Sequence, residues 1–87
     1  MNRIEEMQKR LAVLHPTQID IVDESAQHAG HAGARGGGGH YRLVIISEAF
    51  RGMNSVGRHR EIYKALGDMM SDQIHALSIS AFTPEEF

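Results

Sequence analysis

The fold of this chain is decided by the stretch Tyr41-Arg42-Leu43-Val44-Ile45-Ile46-Ser47. Its run of β-branched and apolar residues is typical of a central strand. Upstream, from Gln18 to Asp23, isoleucines alternate with polar neighbours, which predicts a shorter, half-buried strand. Downstream, the segment from Ile74 to Ala81 predicts a third strand. The sequence therefore predicts three strands, with the most apolar one in the middle of the order.

Two amphipathic helices flank these strands. Between Asn2 and Leu14, apolar residues recur at spacings of three and four, which indicates one buried helical face. Asn2 can cap this helix, and His15-Pro16 ends it because proline disfavours helical geometry in the residue before it. A second helix is predicted from Arg58 to Met70. Its apolar face consists of Ile62, Leu66 and Met69.

The order of these elements predicts the architecture. The first two strands can pair antiparallel, and the helix between the second and third strands makes those two parallel. Thr83-Pro84-Glu85-Glu86 has the residues of a capped helix start with almost no helix after it, so one turn is expected there. We predict an α+β sandwich in which both helices cover one face of a three-stranded mixed sheet. Residues 1–87 then form a single domain.

The composition excludes several classes of protein. The chain has 87 residues, a mass of 9.7 kDa, a formal charge of −2 and no cysteine. It has no apolar run of the roughly 20 residues that a membrane helix needs, and no thiol for a disulfide or a thiolate metal site. No catalytic constellation is visible, so we expect a binding protein rather than an enzyme, with no small-molecule substrate. The charged N-terminal stretch is unlike a secretory signal, which favours a cytoplasmic location.

The segment from Glu24 to His40 is rich in glycine and histidine. It contains six glycines, and no acidic residue occurs between Ser25 and Ser47. One interpretation is a flexible linker with solvated histidines. The other is an arm that presents the imidazoles of His28 and His31 to a metal ion, since imidazole binds zinc, copper, nickel and iron. His75, at the start of the third strand, is the candidate ligand on the scaffold, although a strand histidine between apolar residues is also typical of a core.

A basic segment follows the central strand. Residues 35–64 contain six basic residues and two acidic ones. The part from Phe50 to Arg60 is predicted to be a loop that leads into a helix N-terminus, where anions can bind. One interpretation is a solvated face whose arginines pair with acids or backbone carbonyls; the other is a surface for a polyanion or a protein partner. The candidate contact residues are Arg51, Arg58, His59 and Arg60.

Taken together, the motifs resemble the BolA family over nearly the whole chain and in the same order. They are Asp23-Glu24-Ser25, His40, Phe50-x-Gly52, Arg58-His59-Arg60, Ile74-His75-Ala76-Leu77 and Thr83-Pro84-Glu85. The resemblance implies a class II KH-like α+β fold. It also implies a heterodimer with a monothiol glutaredoxin, in which a 2Fe–2S cluster bridges the two proteins and serves iron–sulfur trafficking or iron and redox regulation.

The resemblance also implies ligand residues. The family's invariant histidine matches His75, and its variable loop ligand matches His28 by its distance from Glu24-Ser25. His31 is a close competitor, and His40 is the third choice. Because this chain has no cysteine, the partner's cysteine and a glutathione thiolate would complete the four ligands that such a cluster needs. We expect no cluster in the isolated chain.

Two alternatives stay open. Members of the family have also been viewed as DNA-binding transcriptional regulators, in which case Arg51, Arg58, His59 and Arg60 would contact phosphates. The absence of an overall basic charge argues against this alternative. The remaining alternative is a structural adaptor whose histidines bind nothing.

Overall fold

The computed structural model describes residues 2–25 and 39–87, and within those ranges it contains three helices and three strands. The helices are α1 (Arg3–Leu11), α2 (Ser55–Leu66) and α3 (Met69–Asp72), and the strands are β1 (Gln18–Asp23), β2 (Gly39–Ile46) and β3 (Ile74–Phe82). Short 3-10 turns follow α1 and β2, at Ala12–Leu14 and Glu48–Phe50. None of the described helices is long and apolar enough to cross a membrane.

The strands form one mixed sheet with β2 in the centre, as the sequence predicts. β1 pairs antiparallel with β2, and β3 pairs parallel with β2 on its other side. The predicted bounds of β1 are confirmed to the residue. β2 begins earlier than predicted, at Gly39, and ends one residue earlier, at Ile46, while β3 runs one residue further, to Phe82. The predicted α+β architecture is confirmed.

The core lies between the helices and one face of the sheet. On β2, Tyr41, Leu43 and Ile45 point towards this core and are buried. The two predicted helical stripes supply the other side of the core, through Met7, Leu11, Leu14, Ile62, Leu66 and Met69. Since burying one such side chain is worth about 1.5–3 kcal/mol, this cluster is the main source of stability in so short a chain.

The first helix is capped as predicted but ends differently. The Asn2 side chain accepts a hydrogen bond from the backbone N–H of Glu5 at 2.8 Å. The predicted helix extended to Leu14, whereas the last turn, Ala12–Leu14, is a 3-10 turn. His15 then adopts a left-handed backbone with φ of 50°, just before Pro16. Right-handed helical geometry therefore ends at the residue before the proline, which is where the sequence predicts it.

The bounds predicted for the second helix are wrong. A single helix from Arg58 to Met70 was expected, but α2 begins at Ser55 and ends at Leu66. It begins earlier because the Asn54 side chain accepts a hydrogen bond from the backbone N–H of Gly57 at 2.8 Å. It ends where Gly67 takes a φ of 58°, and the short helix α3 follows. The predicted loop from Phe50 to Arg60 is therefore helical over its second half.

Candidate functional site

A β-bulge at the start of β3 sets the position of His75. Gly39 on β2 lies opposite Ile74, but the next residue, His40, lies opposite Ala76. His75 is therefore the extra residue of β3. Bulges of this kind redirect a side chain, and they are frequent beside functional sites. Because Ile74 is buried and anchors the strand, the bulge leaves His75 exposed, so its interpretation as a core residue is wrong.

The bulge brings two predicted histidines together. The ring centres of His40 and His75 are 5.0 Å apart, with an angle of 46° between the ring planes. His40 is partly buried, and its Nε2 atom is enclosed by the protein, whereas His75 faces solvent. We call this pair, at the start of β2 and β3, the histidine end of the sheet. His40, the third choice for the second ligand, therefore lies beside His75.

Residues that follow β1 hold the backbone of His40 in place. Its backbone N–H donates to Ser25 Oγ at 3.0 Å, and its carbonyl accepts from the Glu24 N–H at 2.7 Å. Asp23 accepts from the backbone N–H of Ser25 at 2.8 Å. Hydrogen bonds from the side chain and backbone of Ser25 hold the pKa of Asp23 below its usual range. The motif Asp23-Glu24-Ser25 therefore fixes the start of β2 by hydrogen bonds to the backbone of His40.

The spacing of the two rings is compatible with a shared metal ion. A metal–nitrogen bond of about 2.0–2.1 Å places the centres of two imidazoles on one ion at most about 6.5 Å apart, and the observed separation is 5.0 Å. His28 and His31, the other predicted ligands, lie outside the described residues. Within residues 2–25 and 39–87, no group of three or more histidine or acidic side chains is arranged to hold a metal ion.

The predicted basic residues lie at the opposite end of the sheet, where Arg58 acts as a structural clasp. Its Nε donates to the Met53 carbonyl at 2.9 Å, and its Nη1 donates to the Ala81 carbonyl at 3.0 Å. Both Nη atoms also bind the carboxylate of Glu86, at 2.6 and 3.0 Å. The side chain of Arg58 is only 13% exposed. Its charge is therefore satisfied within the chain, as one of the two sequence interpretations expected.

Arg51 also pairs within the chain. It binds Glu48 through Nε and Nη2 and Glu85 through Nη1, at distances from 2.7 to 3.1 Å. The predicted terminal turn is confirmed, because the backbone N–H of Thr83 donates to Glu86 Oε1 at 2.7 Å. Hydrogen bonds from Arg58, and then from Thr83, lower the pKa of Glu86 to about 2. We call Arg51 and Arg58, with the carboxylates of the terminal turn, the arginine end of the sheet.

The other two predicted contact residues differ from these arginines. His59 is half-buried, and its ring meets that of Tyr63 edge-on, with centres 6.4 Å apart. Arg60 is exposed. The four residues therefore do not form one continuous basic surface. Sequence reasoning did not single out Val56 and took Tyr63 only as a flank of the apolar helical face. Both are exposed, and their spacing of seven places them on one face.

Fold and site together define a class: a small α+β sandwich with an αββαβ order and a histidine pair where the parallel strands begin. The sequence matches the family described as BolA-like protein over residues 11–86. This chain belongs to the BolA-like protein family.

Individual relatives agree with that assignment. SufE-like protein 1, chloroplastic/mitochondrial, of Arabidopsis thaliana is 47% identical over 84% of this chain. Protein BOLA1, chloroplastic, of the same plant is 43% identical over 98% of it. The chain spans only 21% and 56% of the lengths of these two relatives. The Escherichia coli protein named DNA-binding transcriptional regulator BolA is 36% identical over 98% of this chain and 76% of its own length.

A solved structure supports the fold. BolA1 from Arabidopsis thaliana superposes with a TM-score of 0.85 at 42% sequence identity, and the match covers 100% of this chain and 97% of that one. The family resemblance expected from the motifs is therefore confirmed, together with the three-stranded mixed sheet.

Proposed function

We propose that this chain is the partner of a monothiol glutaredoxin and donates imidazole ligands to a 2Fe–2S cluster that the two proteins share, in iron–sulfur trafficking or iron and redox regulation. The observation that carries the proposal is the exposed His75 beside His40, with ring centres 5.0 Å apart. A bulge that turns a histidine away from the core, next to a second histidine with a clamped backbone, is expected of a ligand pair.

The ligand types that the chain can offer support a cluster shared with a partner rather than one held by this chain alone. The chain has no cysteine, so it can supply imidazoles and carboxylates but no thiolate. Clusters of this type are held by four ligands, which are usually thiolates. The glutaredoxin's cysteine and a glutathione would provide those thiolates. When bound, a cluster with imidazole on one iron has a higher reduction potential than one held by thiolates alone.

Within the proposal, His75 is the first ligand because it is exposed and lies on a strand anchored by the buried Ile74. The second ligand is one of His28, His31 and His40. His40 has the advantage of proximity, but its Nε2 is enclosed, so it must present Nδ1 or turn its ring. His28 corresponds best to the family's loop ligand. Substitution of each histidine separates these three alternatives.

The test is a titration of this chain into a cluster-loaded monothiol glutaredoxin, followed by visible absorption and circular dichroism. We expect a one-to-one endpoint with an altered spectrum, lost in His75→Ala and in one of His28→Ala, His31→Ala or His40→Ala. His59→Ala is the matched control, since it removes an imidazole from α2. An unchanged spectrum with the unmodified chain, or with every variant, would contradict the proposal.

The name of the Escherichia coli relative favours a second candidate, which is DNA binding. Of the four predicted contact residues, Arg51 and Arg58 are already paired with carboxylates, which leaves His59 and Arg60. Each cation that contacts a phosphate lowers the logarithm of the binding constant by about 0.9 per logarithmic unit of salt, so Arg60 alone predicts a slope of only about −1. Duplex binding measured against salt concentration tests this candidate, and a slope that is the same in Arg60→Ala contradicts it.

A further inference from the structure

The outer side of α2 carries a row of exposed side chains, of which the two candidate functions above use only Arg60. Val56 is 58% exposed and Tyr63 is 42% exposed, and the basic residues Arg60 and Lys64 are exposed beside them. Residues spaced by three, four and seven share one face of a helix. We call these four residues the outer α2 stripe. Ile62 and Leu66 on the same helix are buried in the core.

The two cations of the stripe differ from most arginines of the described residues. Within residues 2–25 and 39–87, neither Arg60 nor Lys64 lies in an ion pair. Four other arginines of those ranges each bind at least one carboxylate: Arg10, Arg42, Arg51 and Arg58. The chain carries a formal charge of −2, so unpaired cations are not explained by a shortage of acids.

The mixture of side chains indicates what kind of partner the stripe can bind. Tyrosine and arginine are enriched at protein interfaces, where an apolar anchor and a charged contact act together. Unpaired cations favour a surface of opposite charge. A nucleic-acid backbone would use the two cations, but it would leave the exposed Val56 without a function. An acidic protein segment with an apolar side chain would use all four residues.

We propose that the outer α2 stripe is a docking surface for an acidic amphipathic helix of a partner protein. This surface contains neither histidine of the histidine end. α2 begins near the end of β3, where Arg58 Nη1 donates to the carbonyl of Ala81. The proposal needs neither His40 nor His75 as a ligand, so it does not depend on the proposed shared cluster.

The test uses the full chain and a fluorescent helical peptide that has leucine on one face and glutamate on the other. We expect saturable binding by fluorescence anisotropy, weakened about tenfold or more by Arg60→Glu and by Tyr63→Ala, as for central interface residues. Lys9→Glu is the matched control, because it makes the same charge reversal at an exposed lysine of α1. It should leave the affinity within about twofold of the unmodified chain.

Several outcomes would overturn the proposal. One is the absence of saturable binding, and another is an equal loss in Lys9→Glu, which would indicate charge attraction alone. Tighter binding of a DNA duplex that is unaffected by Tyr63→Ala would make the stripe a polyanion surface. Concentration-dependent self-association that is abolished by Tyr63→Ala would make a second copy of the chain its occupant.

Two further measurements keep the result interpretable. His75→Ala should bind the peptide as the unmodified chain does. Peptide binding therefore tests the docking surface alone, and the spectroscopic titration tests the shared cluster alone. Thermal unfolding of each variant checks the fold. Arg60 and Tyr63 are both exposed, so we expect their substitution to leave the unfolding temperature nearly unchanged.

Discussion

At the histidine end of the sheet, a bulge exposes His75 beside His40, whereas at the arginine end Arg58 is 13% exposed and bonded to two carbonyls and a carboxylate. The two ends belong to the same pair of parallel strands. One presents ionisable side chains to solvent, and the other uses them to attach the terminal turn to α2. The comparison indicates that ionisable side chains stabilise the structure at the end of these strands, whereas the proposed ligands lie at their start.

The two ends differ in whether their ionisable side chains have hydrogen-bond and ion-pair partners in a shielded place. An exposed ion pair contributes about 0–1 kcal/mol, but hydrogen bonds to backbone carbonyls in a shielded place contribute more, because a carbonyl left without a partner there is costly. Arg58 makes both kinds of contact. For this reason the substitutions below should affect stability strongly at the arginine end and ligand binding at the histidine end.

Arg58→Ala should have the largest effect on stability. It removes the hydrogen bonds to Met53, Ala81 and Glu86 together, and we expect a loss of about 2–3 kcal/mol in the free energy of unfolding. Arg60→Ala is the matched control, since Arg60 is exposed and lies in no described ion pair; its effect should stay within about 0.5 kcal/mol. Denaturant unfolding of both variants measures this. Equal stabilities would mean that Arg58 is not a structural clasp.

Gly39→Ala should disturb the histidine end through packing. A Cβ atom at position 39 would lie 2.5–2.7 Å from ring atoms of Tyr41, which is 4% exposed. Because that ring is enclosed, we expect a loss of about 1–3 kcal/mol from overpacking.

The effect of Gly39→Ala should also reach the bulge, because Gly39 lies immediately before His40. Imidazole resonances of His40 and His75 should shift in NMR spectra of the variant. Gly57→Ala is the control, since its new Cβ meets neighbours only at 3.4 Å or more, within a helix. Unchanged stability and resonances in Gly39→Ala would show that Tyr41 does not fix the start of β2.

The pH dependence of stability provides a third contrast. The pKa of Glu86 is lowered in the folded chain, from 4.5 to about 2, chiefly by Arg58. A carboxyl with a lowered folded pKa contributes stability that is present above its unfolded pKa and is lost as the pH falls towards the folded one. We therefore expect stability to fall between about pH 4.5 and pH 2, and Glu86→Gln should reduce this fall.

Glu61→Gln is the control for that experiment, because Glu61 lies in no ion pair among the described residues. Unfolding curves recorded at several acidic pH values give the slope of the free energy of unfolding against pH for each protein. If this slope is the same in Glu86→Gln, in Glu61→Gln and in the unmodified chain, the pair of Arg58 and Glu86 does not contribute to stability in acid.

His75→Ala should have the smallest effect on stability, within about 0.5 kcal/mol, because the side chain is exposed and outside the core. The same substitution should abolish the altered spectrum expected with a cluster-loaded glutaredoxin. Thermal unfolding and the titration, on one preparation, measure both. A substantial loss of stability would place His75 among the structural residues and remove the contrast between the two ends.

Sequence patterns predicted most of the fold and only part of the site. The run from Tyr41 to Ser47 and the alternation from Gln18 to Asp23 placed two strands, because the period of two is local and reports which face is buried. The bounds of α2 were wrong because capping by Asn54 and the turn at Gly67 depend on side-chain and backbone geometry. The site was harder, since whether a charged residue pairs within the chain depends on residues far along the sequence, as with Arg58 and Glu86.

By itself, the sequence determined the element order, the two apolar helical stripes, the absence of thiolates and the membership suggested by the motifs, because each depends on residue type or on short-range spacing. Only the tertiary structure decided that His40 and His75 are neighbours, and that Arg51 and Arg58 bind carboxylates whereas Arg60 lies in no ion pair with the residues that the structure describes. These outcomes depend on the register of β3 against β2, on one extra residue in a bulge, and on the return of the terminal turn to α2. Contacts between distant segments form only when the core packs, so no local pattern encodes them.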